Sequence, residues 1–162
     1  MDPEKILKDK KILVVDDEKD ILDFLSELLE TSDVEQASSY EEAKELLETR
    51  DYDAAVLDIM GVRGYELLEQ ARGRGIPVLM LTAHALSQDN LKKSFEKGAH
   101  YYVPKDEMGK VDIYLADILE ALEQNKNVWA RWYDRLSRFC DKRFGENWRN
   151  EDPEFWNSLL KY

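Results

Sequence analysis

Lys11-Ile12-Leu13-Val14-Val15-Asp16-Asp17-Glu18 decides the architecture. A short run that is wholly apolar is a strand buried on both faces, and this one ends abruptly on three acids. Beyond it, Ile21, Leu22, Leu25, Leu28 and Leu29 recur at helical spacing. The same alternation then repeats. A weaker run from Val34 to Ala37 reads as an outer strand, followed by Tyr40, Ala43, Leu46 and Leu47 on a helix with acids in its first turn, where the helix dipole favours them. Ala54-Ala55-Val56-Leu57 ends in Asp58, and Tyr65, Leu67, Leu68 and Ala71 form a helix closed by the Gly73–Gly75 region. Pro77-Val78-Leu79-Met80-Leu81 carries its proline at the first strand position, where a missing N–H is tolerated. A helix from Leu91 to Lys97 is capped by Gly98, Tyr101-Tyr102-Val103 is a fifth strand, and a last helical pattern begins near Met108.

Five β–α alternations predict a doubly wound, five-stranded parallel sheet with helices on both faces. Right-handed crossovers leave few topologies for it. The 162 residues divide into a short N-terminal segment (1–9), this α/β unit (10–123) and a helical extension (124–162) that holds all four tryptophans. The formal net charge of −12 lies on the α/β unit, because the final 40 residues from Glu123 carry seven acids and eight bases. Broad nucleic-acid binding needs a positive field, so DNA binding is not expected. No apolar run is long enough to span a membrane, and the N-terminus lacks a signal-peptide pattern. One cysteine, Cys140, and two histidines exclude an internal disulfide and a Cys/His zinc site. The expected setting is the cytoplasm.

Ligands of open parallel sheets bind at the carboxyl ends of the strands. The first strand delivers Asp16 and Asp17 there, the third Asp58, the fourth Thr82 and the fifth Lys105. Three carboxylates in one crevice repel each other and tend to hold protons. A hard divalent cation with few protein ligands, Mg²⁺ above all, removes the conflict. A lysine and a hydroxyl beside it suit a transferred phosphoryl group, with an aspartate oxygen as nucleophile.

Val14-Val15-Asp16-Asp17-Glu18, Val56-Leu57-Asp58-Ile59-Met60, Leu81-Thr82-Ala83 and Tyr102-Val103-Pro104-Lys105, in that order, resemble the response-regulator receiver domain of two-component signalling, in its chemotaxis-regulator-like form. The resemblance implies a flavodoxin-like sheet of strand order 2-1-3-4-5. It implies Asp58 as phosphoacceptor, Mg²⁺ held by Asp17, by Asp16 through a water, by Asp58 and by the Met60 carbonyl, and Thr82 and Lys105 on the phosphoryl oxygens. Tyr102 matches the switch aromatic whose ring turns inward as the threonine moves. Met60 and His84 occupy positions that tune dephosphorylation. The implied partners are a sensor histidine kinase or phosphotransfer protein as phosphodonor, and a downstream protein of unknown identity. Such a receiver catalyses its own phosphorylation and slow hydrolysis and is not a turnover enzyme.

Two departures stand out. The family places proline after the lysine with a cis bond between them, whereas here Pro104 precedes Lys105 and Asp106 follows. A cis bond to a non-proline residue costs about 2.5–4 kcal/mol, so the resemblance does not carry it over. The loop after Asp58 is also about two residues shorter than the common form, with Gly61 and Gly64 to let it turn.

Simpler readings compete residue by residue. Asp16 or Asp17 can cap the following helix, Thr82 can cap another, and Tyr102 can be packing alone. A phosphorylation-independent binding module on the same fold is the alternative function. A Mg²⁺-dependent phosphatase is disfavoured by Met60, which stands where a second acid is needed.

In the extension, Val111, Leu115, Ile118 and Leu122 continue into Trp129, Trp132, Leu136 and Phe139 at heptad spacing, with Asn125 in the gap. This predicts one helix unbroken to about Phe144, stopped by Gly145 and ~50 Å long at 1.5 Å per residue. Asp152-Pro153 opens a last short helix. The aromatic seam can pair with a second copy, giving a homodimer, or fold back on the chain's own surface. A break at Asn125-Lys126-Asn127 remains open.

Overall fold

The computed structural model describes residues 2–83 and 87–160. Five parallel strands, β1 (Lys11–Val15), β2 (Asp33–Ala37), β3 (Ala54–Asp58), β4 (Val78–Thr82) and β5 (Tyr101–Pro104), form one sheet in the order β2-β1-β3-β4-β5. That is the expected topology. The register aligns the strand ends that matter, with Val15 opposite Leu57, Asp58 opposite Leu81 and Thr82 opposite Pro104. Strands β3 and β4 are buried at every position, as a sheet covered on both faces requires.

Between the strands run α2 (Lys19–Leu28), α3 (Tyr40–Thr49), α4 (Gly64–Gly73) and α5 (Gln88–Glu96). A 3-10 segment (Lys105–Lys110) then leads into α6 (Val111–Glu123). Ser39 and Ser87 cap α3 and α5, their hydroxyls accepting the N–H groups of Glu42 and Asn90. The Ser87 cap starts α5 three residues before the Leu91 expected from apolar periodicity. At its other end Gly98 takes φ +94°, and the Gly98 and Ala99 N–H groups close onto Phe95 and Ser94, the left-handed cap read from sequence. The N-terminal segment holds a helix that the sequence reading did not contain, α1 (Pro3–Leu7), which packs against α6 and buries Leu7.

The long helix does not form. α6 ends at Glu123 in a Schellman turn, in which Asn125 adopts φ +56° while Lys126 N–H bonds to the Ala121 carbonyl and Asn125 N–H to that of Leu122. Asparagine tolerates this left-handed conformation, and Asn127 then starts α7 (Val128–Phe144) by accepting the N–H groups of Trp129 and Ala130 on its side-chain oxygen. Leu122, a predicted seam position, is exposed. Gly145 stops α7 as expected, and Asp152 caps α8 (Pro153–Leu159) with Pro153 at the first helical position.

Helices α7 and α8 fold back on α5, β5 and α6. Trp132, Trp148, Trp156, Leu136 and Cys140 are buried there and join the single core. Phe95 of α5 lies at the centre, 3.6 Å from the ring of Trp129 and edge-on to Trp132 and Trp156. Polar ties fix the docking. The Arg135 guanidinium donates to both oxygens of buried Asp117, which also accepts the Tyr101 hydroxyl. Arg131 pairs with Glu120, and Lys92 with Asp152. Replacing Asn127 with Ala is expected to cost about 1–2 kcal/mol, since it removes the α7 cap and the bond from its side-chain amide to Leu159, and a urea midpoint measures it.

Candidate functional site

Because all five strands are parallel, their carboxyl ends open on one edge, and the expected residues meet there. The Lys105 ammonium lies 3.0 Å from Asp16 Oδ2, 3.6 Å from Asp58 Oδ1 and 3.5 Å from Glu18 Oε1. Asp16 and Asp58 are buried, whereas Asp17 and Glu18 face solvent. A cleft of about 130 Å³ lies between Asp17, Asp58, Met60, Gly61 and Lys105.

Neither Asp16 nor Asp17 serves as the cap of α2. The N-cap residue is Glu18, without a side-chain cap, and Asp16 Oδ1 instead accepts the Glu18 N–H at 2.9 Å. Thr82 is not the cap of α5 either, since Ser87 takes that place. Thr82 is buried on the same face of the sheet as Tyr102, whose ring is 1% exposed and therefore turned inward. No cis peptide bond occurs among the described residues, so β5 delivers Lys105 through a trans backbone. His84 lies outside the described residues.

The loop after Asp58 depends on its two glycines. Gly61 has φ +82°, and a Cβ there would sit 2.5 Å from Asp17 Oδ2. Gly64 begins α4 with ordinary φ, and its hydrogen faces the Asp58 carbonyl oxygen so closely that a methyl group would overlap it. Arg63, just before it, supplies the left-handed turn at φ +56°. Gly64→Ala is expected to cost about 1–3 kcal/mol in a urea titration, because backbone must move to admit the Cβ.

The electrostatics show the conflict inferred from sequence. Burial, then the charges of Asp16 and Asp17, push Asp58 up to about 7 against the pull of Lys105. Burial also raises Asp16. Burial alone would lower Lys105, but the surrounding carboxylates overcome it and hold the ammonium charged. Asp16 Oδ2 is buried without a directed hydrogen bond, its contact with Lys105 being an ion pair only. Carboxylate oxygens of Asp16, Asp17 and Glu18 lie within 4.8 Å of one another. An orphaned carboxylate oxygen, an all-oxygen donor set and an adjoining cleft fit a hard divalent cation.

Glu18 is the site residue to which sequence reading gave no role. Its position directly after the acidic pair was the available signal. Trp132 of α7 was placed on a seam, yet it reaches this region and donates its indole N–H to the Tyr102 carbonyl at 2.8 Å.

Comparison with known proteins agrees with this geometry. The family model described as the response regulator receiver domain matches residues 12–118. The alkaline phosphatase synthesis transcriptional regulatory protein PhoP of Bacillus subtilis is 43% identical over 102 residues, covering 59% of this chain and 42% of that protein. The heme response regulator HssR of Staphylococcus aureus is 38% identical over 98 residues, covering 57% and 43%. The chain thus spans less than half the length of these curated relatives. Among solved structures, a CheY-like receiver domain from Methanospirillum hungatei matches with a TM-score of 0.65 and 30% identity over 72% of this chain and 98% of its own. A Francisella response regulator receiver domain gives 0.62 and 29%, over 70% and 98%. Motif order, strand order and relatives converge, and the chain belongs to the response regulator receiver domain family.

Proposed function

We propose that the chain is a phosphorylation-controlled receiver, with Asp58 accepting a phosphoryl group from the phosphohistidine of a sensor kinase or phosphotransfer protein in the cytoplasm. The observation that carries this is the convergence of Asp16, Asp58 and Lys105, from the ends of three different strands, within 3.6 Å of one ammonium. Asp16, Asp17 and Asp58, with the Met60 carbonyl, would hold Mg²⁺, whose chemistry there is to neutralise carboxylate and phosphoryl charge. The Asp58 carboxylate acts as nucleophile on phosphorus as the bond to the donor imidazole breaks. Lys105, already charged, then transfers its contact from Asp58 to a phosphoryl oxygen, and Thr82 donates to another. Phosphotransfer and the slow hydrolysis that follows are both self-catalysed, and the chain is not a turnover enzyme. Output runs through protein contacts, either with a separate target or between copies.

With Mg²⁺ and acetyl phosphate, the intact mass is expected to rise by one phosphoryl group in the wild type and to stay unchanged in Asp58→Ala. A wild type that gains no mass and shows no response to beryllofluoride sinks the reading.

A second reading, a phosphorylation-independent binding module, draws on α7 and α8 covering α5, β5 and α6 and holding the Tyr102 backbone through Trp132. It predicts partner binding indifferent to beryllofluoride. A large affinity change on that treatment removes it.

A further inference from the structure

β5 is the edge strand, so on its outer side the sheet supplies no partner for its carbonyls. The Tyr102 carbonyl is buried there, and the Trp132 indole N–H satisfies it. Trp132 is itself wholly buried and cannot swing away without uncovering Phe95, Trp129 and Trp156, which pack around it. Asp117 and Arg135 fasten α7 to α6 one helical turn further along.

On the inner side, Tyr102 stands opposite Met80 and Pro104 opposite Thr82, so the buried Tyr102 and Thr82 side chains lie on the same face of the sheet as diagonal neighbours on adjacent strands. Strand β4, which carries Thr82, lies between β5 and the β3 strand that carries Asp58. An inward Tyr102 therefore fills the space behind Thr82, on the side away from Asp58. The extension is thus joined to the acceptor side of the sheet through one residue: Trp132 holds the Tyr102 backbone, and the Tyr102 ring is the diagonal neighbour of Thr82. Lys105 follows three residues after Tyr102 on the same strand.

We infer that Trp132 is a positioning residue for the phosphoryl site, the extension holding Tyr102 inward beside Thr82 and so favouring the arrangement in which Thr82 meets a phosphoryl oxygen. This rests on the Asp58 reading above. By linkage, whatever the extension contributes to phosphoryl binding, phosphoryl binding returns to the docking of the extension.

The test uses the full chain and its Trp132→Phe variant, which keeps a packed ring and removes only the N–H donor. Calorimetric titration of each is done with Mg²⁺ alone, then with beryllofluoride at saturating Mg²⁺. Mg²⁺ affinity depends on the carboxylates and is expected to stay unchanged, while beryllofluoride binding weakens about five-fold or more, the scale of a typical coupling between sites. In a Tyr102→Ala background, which lacks the ring beside Thr82, Trp132→Phe is expected to add nothing further. Leu136→Val loosens α7 without touching the hydrogen bond and is expected to bind beryllofluoride as the wild type does. Hydrogen exchange across Val128–Phe144 should slow on beryllofluoride addition in the wild type.

Equal beryllofluoride affinity in wild type and Trp132→Phe overturns the inference. So does a parallel loss of Mg²⁺ affinity, or a full additive loss in the Tyr102→Ala background. A wild type that binds Mg²⁺ but ignores beryllofluoride overturns the Asp58 reading as well, so the two failures are distinguishable.

Discussion

A chain ended after Lys126 is expected to lose about 3–5 kcal/mol of stability and to self-associate, because the receiver's α5–β5–α6 face is built to be covered. Without α7 and α8, Phe95 loses Trp129, Trp132 and Trp156, and an aromatic face of this kind is worth a few kcal/mol at roughly 25 cal/mol per Å². Asp117 keeps the Tyr101 hydroxyl but loses the guanidinium of Arg135. The Tyr102 carbonyl loses its donor on an open strand edge. A bare apolar face of this size finds another such face, so the solution mass of the shortened chain should rise with concentration. In the full chain the aromatic surface is engaged internally, and its mass should stay that of one chain under the same conditions. The checks are urea midpoints followed by circular dichroism and solution mass over a concentration series. A shortened chain that matches the full one in both would show that the extension is an ornament on an independent receiver.

The same contacts show why the sheet was legible in the sequence and the extension only partly so. Strand ends announce themselves, since Val15, Leu57 and Leu81 are each followed at once by a polar residue, and parallel topology alone carries Asp16, Asp58 and Thr82 to one edge. Lys105 needed the family's motif order, and the structure places it where that order requires. Heptad spacing, by contrast, states only that one stripe of a helix is buried and not against what. Trp132 and Leu136 bury against β5 and its neighbours just as they could against a second copy. The break rests on a single φ at Asn125, which costs asparagine little and shows in the apolar pattern only as the one gap in the seam. Asp117 was equally hidden. It sits between Leu115 and Ile118 on a helix rich in acids, and only the fold shows that this acid, and not Asp112 or Glu120, is the one sealed beneath α7.

Asp58→Asn is expected to make the metal-free chain more stable than the wild type, although it removes the proposed function. In the fold Asp58 titrates near 7 instead of 3.8, first because it is buried and then because Asp16 and Asp17 repel it. Each unit corresponds to about 1.4 kcal/mol, so keeping this carboxylate ionised costs the native state up to about 4 kcal/mol, and relaxation brings the expected gain to about 2–4 kcal/mol. The sign follows from a folded value above the unfolded one. Below the unfolded value both states hold the proton and nothing is lost, and as pH rises through about 7 the full penalty is reached. The gain of Asp58→Asn over wild type should therefore be larger at pH 8 than at pH 5. Thermal melts in EDTA measure it, at roughly 2–4 °C for each kcal/mol in a chain of this size. Added Mg²⁺ should reverse the order, since a cation bound only by the native carboxylates stabilises the wild type by mass action and has one ligand fewer in the variant. An Asp58→Asn chain that melts at or below the wild type in EDTA at pH 8 would mean that Lys105 alone settles the charges of Asp16 and Asp58. The cleft would then carry no electrostatic strain for a cation to relieve.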